Sequence, residues 1–413
     1  MNKNIKLAVA GAVLALSASA NAGIIIPAGD WTLDIGGNVN TFITNTRASG
    51  SATITGGYAG FVSGPNSTTE KTESNITTGL LPNYLSVSGS TRQNDLDVAF
   101  TISVNPGAST TQGGRQSAQQ ENRQAFMTFG DKSWGSIKLG KDLGVFAGTA
   151  ILNDMTLLGV GNGAGSLAGN TTTIGGIGSG YIYADWKAQA AYTSPNFSGF
   201  QFTLAATQGW NQISNASDGA TTPTYYSLNT TGRSGSAPAA EGQLSYTFSG
   251  GAVSGKLWTS GIVQKINHNS TTVTLDDDRA QAADIGANVN FGDIGLTGYA
   301  YKADGLGTTI QFMDGYTVAG KQRKSDGGYV QATYTMPTKT KIGVAYGISN
   351  LDRNSTETST NLVKENERTT VGVYHPLTKH LNTVLEYNEG KSQNQAGLEN
   401  KARTVSLGAI LFF

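Results

Sequence analysis

The chain of 413 residues contains no cysteine, three histidines and nine prolines. Without cysteine there is no disulfide frame and no thiol chemistry, so the fold draws its stability from elsewhere. The histidines (His268 in a loop, His375 and His380 near one short turn) form no metal-ligand cluster, and the sequence implies no metal or cofactor. A Gly-x-Ser-x-Gly elbow is missing, and with it the usual seat of a nucleophilic serine. Neither sign of charge dominates, with 28 Lys and Arg against 28 Asp and Glu. That balance excludes the basic footprint of a nucleic-acid binder. After residue 22 no apolar run approaches the ~20 residues that a spanning helix needs. This excludes helical spans but not a membrane barrel, whose apolar residues fall on every second position.

What is present begins with a leader. Lys3 and Lys6 precede the apolar run Leu7 to Leu16, and "SASANA" closes it at residues 17–22. A basic start, a short apolar core and an Ala-x-Ala site read as a cleaved signal peptide over 1–22, leaving 23–413 as the mature domain. The protein is therefore expected to leave the cytoplasm.

The rest of the chain is written in alternating runs of β-branched, aromatic and polar residues. They lie at 31–42, 83–92, 96–104, 123–129, 135–141, 186–194, 200–208, 241–248, 252–263, 282–291, 294–302, 328–336, 341–349, 368–376, 381–389 and 401–413. The connections alternate between short ones, such as "QND" and "PNFSG", and long ones rich in Gly, Ser, Thr and Asn. Sixteen strands with tight turns on one side and long loops on the other describe an all-β, antiparallel transmembrane barrel of 16 strands. Strands of about ten residues match the apolar band of such a barrel. Leu96, Val98, Phe100, Ile102 and Val104 are expected to face lipid, and so are Val405, Leu407, Ala409 and Leu411. Trp31, Phe129, Trp134, Phe197, Phe248 and Phe291 sit near strand ends, as interfacial aromatics do.

Four segments carry a resemblance: "RQAFMTFGDKSWGSIKLGK" (123–141), "AAYTSPNFSGFQFTLAATQ" (190–208), "GQLSYTFSGGAVSG" (242–255) and "YHPLTKHL" (374–381). In order and spacing they resemble the general trimeric porins of β-proteobacteria and Neisseria. The resemblance implies a homotrimer of barrels in the outer membrane of a Gram-negative cell. It implies that the loop after the fifth strand, here about 142–185, folds into each barrel as a constriction. It implies that the terminal Phe413 is read by the barrel-assembly machinery. It also implies a transverse field between an acidic loop and a basic wall. Carried over position by position, that field falls on Asp154 in the loop against Lys138, Lys141 and Lys187 on the wall, with Tyr84 and Asp97 nearby. Tyr84 and Ala191 stand where the family usually has arginine, so the wall is less basic than the family norm.

The expected function is passive diffusion of small hydrophilic solutes through a water-filled, weakly ion-selective pore, with no reaction catalysed. A substrate-specific channel with a dedicated site in the loop is the alternative. An outer-membrane barrel enzyme or a secreted β-rich binding protein is the alternative from another class. Three remaining motifs have ordinary readings. "GVGNGA" (159–164) resembles a dinucleotide fingerprint but lacks its strand–helix context. "DDD" (276–278) and "KQRK" (321–324) read as solvated loops, or as contacts to lipopolysaccharide. Asp34, Asp97 and Asp284 read as hydrated lumen carboxylates.

Overall fold

The computed structural model describes residues 23–50, 52–58, 71–108, 120–162, 172–211, 233–234, 237–267, 278–317 and 320–413. The expected signal peptide, His268 and residues 276–277 lie outside the described residues, as do 163–164 of the Gly-rich motif.

The strands in chain order are β1 (Ile24–Ala28), β2 (Trp31–Ser49), β3 (Thr72–Thr77), β4 (Tyr84–Gln93), β5 (Leu96–Pro106), β6 (Gln120–Glu121) and β7 (Ala125–Asp131). Next come β8 (Gly135–Leu143), β9 (Trp186–Thr193), β10 (Phe200–Thr207), β11 (Arg233–Ser234), β12 (Ala239–Gly250), β13 (Val253–Asn267) and β14 (Asp278–Phe291). The series ends with β15 (Ile294–Asp304), β16 (Lys324–Thr335), β17 (Lys341–Leu351), β18 (Val363–Pro376), β19 (Leu381–Asn394) and β20 (Glu399–Phe412). Neighbours pair antiparallel throughout, and β20 returns to β2 over Asn38–Phe412 to Ser49–Lys401. The sheet is thus a closed barrel with 16 strand positions, each matching one alternating run of the sequence. Closure leaves no bare edge, which a membrane requires of a sheet. No helix among the described residues is long and apolar enough to cross a membrane.

Burial follows the sequence alternation. Along β20, Val405, Leu407 and Leu411 are 49%, 56% and 42% exposed, while Thr404, Ser406 and Ile410 are buried. Exposed Ile43, Ile76, Ile285 and Val330 continue the apolar outer face. Near the short turns, aromatics pack on one another: Trp31 on Phe100 at 5.7 Å, Phe200 on Tyr246 at 4.3 Å and Tyr192 on Phe202 at 5.8 Å. The Tyr192 hydroxyl donates to the Trp134 carbonyl at 2.6 Å.

Three features depart from the plain alternating reading. First, β2 meets β20 only from Asn38 upward. Its opening stretch, Trp31–Ile35, pairs instead with β1, which lies in line with β20. Second, the second wall position is split. β3 and β4 both pair with β2, and residues 78–83 between them fold inward. Asn38 and Asn40 hold this bulge by donating to the Pro82 and Leu81 carbonyls, each at 2.9 Å. Third, segments 52–58 and 305–317, in regions expected to be outer loops, also turn into the barrel. Tyr58, Leu306 and Phe312 are fully buried there.

Inside the barrel, segments 78–83 and 305–317 share one apolar cluster with the loop after β8, while Ile54 packs against a separate cluster of Leu351, Leu362 and Val363. Leu80 and Leu81 meet Phe146, Tyr181, Ile182, Trp258, Tyr299, Tyr329, Leu306 and Phe312. A porin-like lumen is expected to be polar. Here one side of it is filled by a core that the alternating strands do not announce.

Candidate functional site

The segment between β8 and β9 enters the barrel and contains a short helix, α1 (Gly148–Leu152), followed by a 3₁₀ turn at Met155–Leu158. Wall side chains fasten it at successive points. At the entry, Glu241 on β12 accepts from the backbone of Val145 and Phe146 at 2.8 and 2.9 Å. The same carboxylate takes the Lys187 ammonium at 2.7 Å and the Thr207 hydroxyl at 3.0 Å. Further along, Gln243 donates to the Thr149 hydroxyl at 2.8 Å, and the Tyr329 hydroxyl donates to the Ala150 carbonyl at 2.8 Å. Gln331 accepts from the Met155 amide at 2.7 Å.

At the centre, Asp154 caps the 3₁₀ turn by accepting from the Thr156 amide at 2.9 Å and its hydroxyl at 2.8 Å. Its other oxygen takes the Tyr181 hydroxyl at 2.9 Å and faces Arg368 of β18 at 3.3 Å. Arg368 also donates to the Thr156 hydroxyl at 3.1 Å. The return arm passes directly over this pair at Gly176, where a Cβ would lie 2.5 Å from Asp154 and 2.6 Å from Arg368. A side chain at this position would have to push the ends of Asp154 and Arg368 aside. Beyond it, Glu386 on β19 accepts from the Val160 and Gly161 amides at 2.8 and 2.7 Å and from the Tyr374 hydroxyl at 2.7 Å. The tip is latched to the inward bulge, where the Leu80 amide donates to the Gly159 carbonyl at 2.8 Å.

The positions read from the sequence are distributed differently from a single facing set. Asp154 is buried on the loop inside the barrel, where its cation is Arg368, and it is not brought together with Lys138, Lys141 or Lys187. Lys187 points inward and is wholly buried against Glu241, with Trp210 at 4.9 Å. Lys138 also points inward and pairs with Asp142 of its own strand. Lys141 shares its register with Ala125 and Ala188, both exposed on the outer face, so its ammonium bonds the Asn122 carbonyl at 2.8 Å outside the lumen. Tyr84 begins β4 at the foot of the inward bulge and packs against the apolar cluster. Asp97 is at the turn after β4, ion-paired with Arg92 at 2.8 Å and away from the loop. Asp284 is no hydrated carboxylate: it accepts from Ser260 at 2.6 and 2.7 Å and from Tyr299 at 3.1 Å. Among the described residues no group of acidic or histidine side chains is arranged to hold a metal.

Glu241, Arg368 and Glu386 were missed as functional positions. The signal for them was available, because Leu244, Val371 and Leu385 face outward three positions away, three positions away and one position away. Odd or even parity alone therefore turns these three charges inward.

A closed antiparallel barrel with tight turns on one side and a loop fastened across its lumen defines a membrane channel. The chain belongs to the Gram-negative porins, whose family pattern matches residues 7–395. Among solved structures it is similar to the outer membrane channel DcaP of Acinetobacter baumannii, with a TM-score of 0.66 and 16% identity over 94% of this chain and 99% of that one. It is also similar to an anion-selective porin of Comamonas acidovorans (TM-score 0.58, 15% identity, 93% of this chain and 100% of that one). OmpT of Vibrio cholerae shares the fold at a TM-score of 0.51 and 11% identity, over 93% of this chain and 99% of that one. No curated protein sequence matches. The protein is thus an outer-membrane channel for passive diffusion, and these comparisons point to a channel and not to an enzyme.

Proposed function

We propose that the pore is weakly ion-selective and passes small uncharged hydrophilic solutes. The observation that carries this is the internal pairing of charge at the constriction: Asp154 with Arg368 and Lys187 with Glu241, all four side chains fully buried. A carboxylate and a cation that neutralise each other out of water present little field to a passing ion. Lys138 and Asp142, nearer the open side, are likewise paired with each other. The reading extends to assembly. The leader 1–22 is removed on export, the mature barrel forms a homotrimer surrounded by lipid and lipopolysaccharide, and Phe413 is recognised by the assembly machinery. The trimer is supported by the fold shared with OmpT of Vibrio cholerae, which is described in a trimer form.

Planar-bilayer recording tests the reading. Under a KCl gradient the current should step in threes, with a reversal potential close to zero. A reversal potential near the Nernst value of either ion would reject weak selectivity, and single, unitary steps would reject the trimer.

A further inference from the structure

We infer that Lys256 and Lys341 set the ion preference that the pore retains, and that this preference is for anions. The inference rests on the channel reading above and names the residues behind its selectivity. An ionic side chain leaves a field in the lumen where no opposite charge stands beside it. Around the loop the cations already described all have such a partner: Arg368 has Asp154, Lys187 has Glu241, Lys138 has Asp142 and Arg323 has Glu357. The vestibule between the loop and the short turns is different.

Lys256 is on the inner face of β13, in step with buried Trp258 and out of step with exposed Leu257. Its register partners, Thr247 and Asn288, carry no charge. Asn288 is engaged elsewhere, donating to the Thr297 hydroxyl at 2.9 Å and accepting from Asn290 at 3.0 Å. Lys341 opens β17 on the inner face, in step with buried Ala345 and out of step with exposed Val344. Its ammonium lies 5.3 Å from the centre of the Tyr374 ring. Both lysines are partly exposed, and among the described residues neither is ion-paired or hydrogen-bonded.

Both lie beneath the loop. On β13 the loop is met at Ser260, which accepts from the Ala147 amide at 3.3 Å, four positions above Lys256. On β17 it is met at Gly343, where a Cβ would lie 2.6 Å from the Met155 sulfur, two positions above Lys341. Asp34 is an inward carboxylate at a similar depth, four positions below Asn38, and it too is unpaired among the described residues. It belongs to the first of the sixteen wall positions and Lys256 to the ninth, so the two stand on opposite sides of the ring. The acids gathered on Arg92 stand at the turn itself, at the mouth and not within the vestibule. Two separated cations thus face one distant carboxylate, and the enclosed water beneath the loop is positive. The field that the family resemblance places across the constriction is displaced to the vestibule below it.

The test is the reversal potential of the channel in a planar bilayer at two salt levels. Between 0.1 and 0.01 M KCl, where the Debye length is about 10 Å or more, the chloride-to-potassium permeability ratio should be about two. Between 1 and 0.1 M it should fall toward one, because screening shortens to about 3 Å on the concentrated side. The double change Lys256→Gln with Lys341→Gln should bring the low-salt ratio to one or below, and Asp34→Asn should raise it. Lys141→Gln, outside the lumen, should leave it as it is. A wild-type ratio of one or less at low salt overturns the inference without any variant. An unchanged ratio in the double variant overturns it too, as does a shift in Lys141→Gln as large as the double variant's. Wild-type protein that passes no current at all would instead overturn the channel reading itself.

Discussion

Arg368 is the residue on which the constriction turns. It is wholly buried beside Asp154 and Thr156, with Tyr181 completing the shell. Removing one partner of such a pair leaves a buried charge without compensation and costs about 3–5 kcal/mol. Arg368→Met should therefore lower the temperature at which the folded form loses its fast gel migration, and it should make the open-channel current noisy as the loop loosens. The double change Arg368→Met with Asp154→Leu should recover much of the lost stability, because no lone charge then remains inside. If the single variant matches the wild type in both measurements, the pair does not hold the loop. Parity along β18 showed that Arg368 points inward. It could not show which loop residue meets it, because pairing across a lumen has no period in the sequence.

At the scale of elements, the barrel strands were legible because each spends every second residue on lipid, and that spacing survives any loop content. The inward segments 52–58, 78–83 and 305–317 were not legible. Their buried residues, such as Tyr58, Leu80 and Phe312, stand among glycines and threonines with no repeat, so they read as solvated loop text. One of these segments is tied to the outer rim. Arg323 donates to the Asp314 carbonyl at 2.9 Å and grips Glu357 from the loop after β17, one of its bonds being 3.0 Å long. Burial works to raise the Glu357 carboxyl, but the Arg323 guanidinium, through its hydrogen bonds and charge, overrides it and leaves the group below its ordinary value of 4.5. A depressed carboxyl contributes stability above its unfolded value and loses it as pH falls through the folded one. The clamp is therefore intact from neutral pH down to about 4.5 and released below that. Limited proteolysis within the exposed stretch 352–361 should accelerate as pH is lowered from 4.5 toward 3, and Glu357→Gln should already show the fast rate at pH 7. A flat rate across that range would show that the clamp does not restrain the loop.

For the whole molecule, the proposed recognition of Phe413 can be separated from its part in stability. Phe413 exchanges two backbone hydrogen bonds with Gly37, at 2.8 and 3.1 Å. At about 1 kcal/mol each, their loss is small against a barrel of this size. Deleting Phe413 should thus leave the thermal transition of inserted protein nearly unchanged while cutting the inserted yield several-fold. Normal yield in the truncated chain would remove Phe413 from the assembly reading. The seam between β2 and β20 carries a further consequence, concerning time and not energy. Thr46 and Thr404 bond across it at 2.8 Å although 358 positions separate them in the chain. Contacts of such sequence separation form late. Until β20 has been synthesised and delivered, β2 presents one unpaired ladder and β19 another, and each is a template for pairing with any other chain. The barrel therefore cannot be acquired strand by strand as a series of stable, shorter barrels. Until β20 pairs with β2, its strand-forming segments have to be kept from pairing with other chains, and that seam is the contact that ends the need.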